Sequence, residues 1–170
     1  MPTPIPSTSV ASREEWGRNV CALTYDELDI QSITRSVGDD GAGATVVFVG
    51  TTRNKFKGKV VTRLEYQAYS KLAMKTVAGI VRNAYDDSVK RATNSTSTSH
   101  LISCAVHHRL GTVPVGEASI VIAVSSPHRQ EAFVACEQIL EGVKRKAQIW
   151  KREYYQGEDE EKAEWKANYS

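Results

Sequence analysis

The apolar positions of this chain fall into a few patterned runs separated by turn-forming residues. Ala44 to Val49 is continuously apolar and rich in β-branched side chains, with Gly41 and Gly43 before it and Gly50 after it, which predicts a strand buried on both faces. Thr62 to Tyr69 predicts a second strand. From Ser70 the period changes. Leu72, Val77, Ile80, Val81 and Ala84 recur near helical spacing, so a helix is expected to run until about Tyr85. Leu101 to Leu110 alternates, with Ile102, Cys104, Val106, His108 and Leu110 on one side of a strand. A turn over Gly111 to Gly116 leads into the apolar strand Ser119 to Val124. Ser126 and Pro127 then open a second helix with apolar positions Ala132, Phe133, Ala135, Cys136, Ile139, Leu140 and Val143. Extended chain follows from Gln148 to Tyr155. The order strand, strand, helix, strand, strand, helix, strand predicts an α+β sandwich with two helices against one sheet, close to the ferredoxin-like plan.

Outside these runs the pattern weakens. Residues 1–15 are rich in Pro, Ser and Thr and predict a disordered leader, leaving 16–170 as one domain. Thr24 stands three residues before Glu27, the spacing of a helix-capping box. Asn94 to Ser99 reads NSTSTS, a polar loop.

Composition narrows the function classes. With 41% apolar and 25% charged residues the chain can fill a core, and a net charge of +2 does not by itself announce nucleic acid. An RNA-binding sheet is excluded on a second count, since no strand carries the aromatic spacing such a sheet needs. Cys21, Cys104 and Cys136 are odd in number and widely spaced, and read as reduced core thiols, not as disulfides or metal ligands. No apolar run approaches the roughly 20 residues of a membrane span, and the N-terminus lacks a secretory pattern. A cytoplasmic protein is expected.

The charges are informative where they cluster. Lys144, Arg145, Lys146, Lys151 and Arg152 crowd around the Ile149-Trp150 pair, and cations this dense repel one another unless an anion or solvent intervenes. Cations in the last turn of a helix are ordinary and account for part of the cluster. Lys151 is different, because it follows Trp150 in extended chain, and a lysine held among other cations can serve as base or nucleophile. Helical periodicity leaves open whether Lys144 or Lys146 joins it. At the other end of the same helix, His128 and Arg129 put cationic character in a first turn that favours negative groups. A bound phosphate would account for both, gathering the free amides and the two side chains; pointing to water is the plainer alternative. Arg53, in Gly50-Thr-Thr-Arg-Asn54, follows a strand end and could reach an anion there. His108 shares an apolar face with Val106 and Leu110 and reads as a core histidine.

Six motifs then occur in order: Phe48-Val-Gly-Thr-Thr-Arg-Asn54, Leu64-Glu-Tyr-Gln-Ala-Tyr69, His108-Arg-Leu-Gly111, Val115-Gly-Glu117, Ser125-Ser-Pro-His-Arg129 and Ile149-Trp-Lys-Arg-Glu153. Together they resemble the large, catalytic subunit of molybdopterin synthase, over about Gly43 to Trp165. That resemblance implies an α/β hammerhead fold containing a ferredoxin-like core, and a homodimer of large subunits with a small ubiquitin-like subunit at each end. It implies a sulfurtransferase, in which the small subunit's C-terminal thiocarboxylate delivers sulfur to cyclic pyranopterin monophosphate to build the molybdopterin dithiolene. It implies no metal and no organic cofactor. By the same resemblance His128 and Arg129 hold the substrate phosphate, Lys144 and Lys151 are the essential lysines, Arg152 and Glu153 line the pocket, and Arg53 matches the family's loop arginine. Lys144 is thereby preferred to Lys146. Gln148 departs from the family pattern, which has a proline before Ile-Trp-Lys, and this could loosen Lys151. A non-catalytic adaptor that docks a ubiquitin-like partner is the alternative reading, and it would not need the two lysines.

Overall fold

The computed structural model describes residues 8–94 and 100–168. In chain order the elements are β1 (Ser12–Trp16), β2 (Asn19–Thr24), α1 (Ile30–Ser36), β3 (Ala44–Thr51), β4 (Lys55–Phe56), β5 (Lys59–Ala68) and α2 (Ser70–Thr93). Then come β6 (Ser103–Arg109), β7 (Gly111–Pro114), β8 (Ala118–Ser126), α3 (Arg129–Lys146), β9 (Ile149–Tyr155), a 3-10 turn (Glu160–Lys162) and β10 (Lys166–Ala167). The α+β class and every element expected from Ala44 onward are present.

The strands divide between two sheets, where one was expected. The first has the order β1-β2-β6-β8-β3, with β2 and β6 parallel and the other pairs antiparallel. The second has the order β10-β9-β5-β4, and β7 pairs with β5 over the residues that β9 holds on the opposite edge. The chain crosses from one sheet to the other at Gly111, whose φ of +76° lies in the left-handed region that favours glycine. A Cβ there would also stand 2.9 Å from the Tyr25 ring, so both backbone and space call for glycine in the His-Arg-Leu-Gly motif.

Helices cover both faces of the first sheet. α2 and α3 pack on one face, where Val81, Cys104, Val106, Ile122, Ala135 and Ile139 belong to the main core. On the other, α1 closes a smaller core with Ile33, Val37, Ala105, Val121 and Ala123. β8 is therefore buried along its whole length. β3, expected to be buried on both faces, is an edge strand and only half-buried.

Three local expectations are corrected. The disordered leader expected over residues 1–15 does not hold for its described part, since Ser12–Trp16 is a strand and Ser9 is buried, its hydroxyl accepting from the Ala68 amide at 3.0 Å. β1 is too polar to show as a strand in sequence; Arg82 holds it by pairing with Glu14 at 3.1 Å and lying 4.4 Å over the Trp16 ring. Residues 1–7 lie outside the described residues. Thr24 caps no helix: it ends β2 and its hydroxyl accepts from the Asp26 amide at 3.0 Å, while Asp29 caps α1 through the Ser32 amide. α2 continues to Thr93, because Ser88 extends the buried stripe and hides its polarity by donating to the Tyr85 carbonyl at 2.7 Å. Of the polar loop, residues 95–99 lie outside the described residues.

All three cysteines are free and buried, as expected of core thiols. Burial pushes Cys21 and Cys104 up to about 12 and Cys136 up to about 11, so none is poised as a thiolate. Among the described residues no helix is long and apolar enough to cross a membrane.

Candidate active site

A cavity of about 340 Å³ opens between the two sheets and the end of α3. Its cationic wall is Arg53, Lys55, Lys144 and Lys151; Phe48, Phe56, Leu64 and Tyr66 form the apolar wall. Four of the seven residues singled out in sequence meet here: Arg53, Lys144, Lys151 and Glu153.

β9 supplies two of them by simple alternation. Lys151 and Glu153 share one face of the strand and point into the cavity, with Tyr66 of β5 opposite Lys151 in register. The Lys151 Nζ lies 3.5 Å from the Glu153 Oε1, and the two side chains are only 13% and 8% exposed. Burial pushes the Glu153 carboxyl up, but the Tyr155 hydroxyl, which donates to it, and the charges of Lys151 and Lys166 hold it below the usual carboxylate range. Glu153 is thus an anion that fixes the Lys151 ammonium. Arg152 lies on the opposite face, so the expectation that it lines the same pocket is corrected. Its guanidinium pairs with Glu65 at 3.4 Å and lies 4.7 Å from the Trp165 ring.

Lys144 reaches the cavity from the last turn of α3. It is exposed, whereas its neighbour Arg145 turns away to pair with Glu141 at 3.4 Å. Lys146 does not line the cavity. The structure thus separates Lys144 from Lys146, a choice that periodicity left open. Arg53 reaches in from the segment between β3 and β4, its Cζ 5.5 Å from the Phe56 ring. The hairpin joining β4 to β5 turns on Lys57 and Gly58, both at positive φ, which aims Phe56 back at the cavity.

His128 and Arg129 are elsewhere. The helix starts later than expected, with His128 as its N-cap residue and Arg129 as its first residue, and the Ser126 hydroxyl donates to the His128 carbonyl. Fifteen residues of helix separate Arg129 from Lys144, about 22 Å at the usual rise. One chain does not bring these cations into one pocket.

Sequence reasoning missed Phe56, Tyr66 and Asn168, all of which line the cavity, and classed His108 as core alone. His108 is 2% exposed, rests edge-on against Tyr66 at 4.9 Å, and also contributes to the cavity floor. Its Nδ1 lies 2.8 Å from the Arg109 carbonyl, which can only accept, so the proton sits on Nδ1 and Nε2 is left to accept from the Asn168 amide at 3.4 Å. Burial pushes His108 down to about 4. Between the folded value near 4 and the ordinary 6.5, only the unfolded chain takes up the proton. The stabilisation is therefore complete above 6.5 and lost as pH falls toward 4, on the order of 3 kcal/mol from this residue. Urea unfolding at steps from pH 7 to 4 should show that loss, and His108→Gln should flatten the slope; parallel slopes would disprove the assignment.

A family profile described as MoaE protein matches residues 23–146, well over half of the chain. The chain belongs to the MoaE family. It is 45% identical over 157 residues to the molybdopterin synthase catalytic subunit of Pyricularia oryzae, covering 91% of this chain and 78% of that one. The molybdopterin synthase catalytic subunit of Culex quinquefasciatus is 41% identical over 155 residues, covering 89% and 90%. Among solved structures, molybdopterin synthase from Staphylococcus aureus superposes with a TM-score of 0.69 at 28% identity, over 85% of this chain and 94% of that chain. A complex of subunits 1 and 2 of molybdopterin-converting factor from Helicobacter pylori shares the fold, with a TM-score of 0.61 at 22% identity over 81% and 86%. The MoaE profile ends at Lys146, short of Lys151 and Glu153.

Proposed function

We propose that this chain is the catalytic subunit of a molybdopterin synthase, a cytoplasmic sulfurtransferase that takes sulfur from the C-terminal thiocarboxylate of a small ubiquitin-like subunit and adds it to cyclic pyranopterin monophosphate. The observation that carries this reading is the cavity itself. Two lysines from different elements converge there with Arg53, opposite an apolar wall that includes Phe48, Phe56 and Tyr66.

Sulfur addition with opening of a cyclic phosphate places negative charge on the substrate, and fixed cations in a partly dry cavity stabilise that charge without reorganising. Lys151 is the preorganised cation, held by Glu153 on a rigid strand. Lys144, exposed at the helix end, is free to meet an incoming acyl group or phosphate. Arg53 offers a planar fork to an anion at the cavity mouth. His128 and Arg129 fit this chemistry only if a second copy of the chain presents its α3 start to the cavity, which agrees with a homodimer of large subunits as the working form. A docking adaptor would have no use for a lysine buried beside a glutamate, and Lys151 favours the enzyme.

The purified chain, mixed with a thiocarboxylated ubiquitin-like partner and cyclic pyranopterin monophosphate, should yield the dithiolene product. Binding of the partner with no product would favour the adaptor.

A further inference from the structure

We propose that Gln148 is a positioning residue that sets Lys151 relative to Lys144 by clamping the connector between α3 and β9 onto α2. Only the activity arm of this inference rests on the function proposed above.

Two residues, Ala147 and Gln148, join the helix that carries Lys144 to the strand that carries Lys151. So short a link sets the relation of the two ammonium groups, provided that it does not move. Gln148 ties it down at three points. Its backbone carbonyl accepts from the Tyr69 amide at 3.0 Å, at the start of α2, where no side chain caps the helix. Its side-chain oxygen accepts at 2.8 Å from the Thr76 hydroxyl, two turns further along α2, whose one proton is shared with the more distant Leu72 carbonyl at 3.1 Å. Its side-chain nitrogen donates to the Lys146 carbonyl at 3.1 Å, at the end of α3. The amide can sit only one way round, because the Lys146 carbonyl only accepts and must face the nitrogen. One side chain therefore bridges the two helices across the connector.

The backbone shows what the side chain supports. Ala147 is extended, at φ −70° and ψ 139°, the conformation that a following proline imposes. The Ile149 amide donates to the Ala147 carbonyl at 2.9 Å, closing a three-residue turn centred on Gln148. Gln148 is not among the residues at positive φ, so this is the inverse turn, with a central φ close to that of proline. The Gln148 N–H donates to no group among the described residues, so a ring there would remove no bond. The position is built for the restriction a proline gives through its ring, and this chain obtains it from side-chain hydrogen bonds to Thr76 and Lys146.

The test compares Gln148→Ala, Gln148→Pro and Thr76→Val in the full chain. Each is read by hydrogen exchange over the peptide spanning 147–151 and by steady-state sulfur transfer with the thiocarboxylated partner. Gln148→Ala should speed exchange in that peptide about tenfold and lower kcat by a similar factor, with KM for substrate and partner changed less than about twofold, the scale expected for losing two local hydrogen bonds. Thr76→Val should show a smaller effect of the same kind. Gln148→Pro should return both readouts close to wild type, which a purely packing role for the glutamine would not do. Unchanged exchange in Gln148→Ala, loosened exchange with unchanged kcat, or a proline variant as impaired as the alanine would each overturn the proposal. An inactive wild-type protein would count against the function proposed above, and the exchange arm would then decide the clamp alone.

Discussion

Alanine at Lys151, or at Lys144, is expected to lower sulfur transfer by roughly 10²–10⁴-fold, the range over which positioned proton-transfer and charge-stabilising groups act. The fold should tolerate both changes. Lys144 is exposed, and loss of the Lys151 ammonium leaves Glu153 with the Tyr155 hydroxyl and the field of Lys166. Arg145→Ala and Lys146→Ala are the controls, because they share the charge cluster but not the cavity. If the cluster acted only through its summed field, four substitutions of equal charge would lower the rate by similar, modest factors. A large loss at Lys144 and Lys151 with small losses at the controls is expected from single-turnover rates with partner in excess. Equal losses across the four would remove the catalytic assignment.

The contrast among these neighbouring cations shows what the sequence could carry. Alternation along an extended strand was enough to send Lys151 and Trp150 to opposite faces, and it also placed Glu153 beside Lys151. The same rule puts Arg152 with Trp150, against Glu65, and it outranks the motif that would have all three polar residues in one pocket. Periodicity along α3 could not choose between Lys144 and Lys146, since the helix end is where the apolar stripe stops constraining rotation. The cavity chose, because it is closed by β5 and β9, whose pairing is invisible in either strand alone.

What was not legible has the same origin. Both β5 and β9 read correctly as strands, but nothing local tells a strand which sheet it joins, and Gly111 signals only that a turn occurs. Phe56 reaches the cavity through a two-residue strand and a turn with positive φ at a lysine, a conformation that side-chain pattern does not announce. β1 was concealed by its polarity, being fastened by Arg82 from α2 through an ion pair and a ring contact instead of by an apolar face. Gln148 is the converse case. Read as a departure that could loosen Lys151, it makes side-chain hydrogen bonds to Thr76 and the Lys146 carbonyl that spacing along the chain does not announce.

The separation of Arg129 from Lys144 along α3 leads to the second large effect. Arg129→Ala is expected to weaken substrate binding by about 1.5–3 kcal/mol, roughly 10- to 150-fold, the usual scale for a charge-assisted hydrogen bond to phosphate. His128→Ala should cost less. Equilibrium binding of the substrate gives both values, and unchanged affinity in a folded Arg129→Ala protein would remove the helix start from the site. Mixing then decides which copy supplies the arginine. In a two-fold symmetric dimer whose sites each take lysines from one copy and Arg129 from the other, a mixed dimer of Lys151→Ala and Arg129→Ala chains has one site with both defects and one with neither. Random exchange of the two variants should therefore restore about a quarter of wild-type turnover, from partners that are each impaired alone. If each chain completed its own site, every site in the mixture would carry one defect and the mixture would be no more active than the average of the two variants. The roughly 22 Å of helix between the two ends requires the first outcome if Arg129 binds substrate at all.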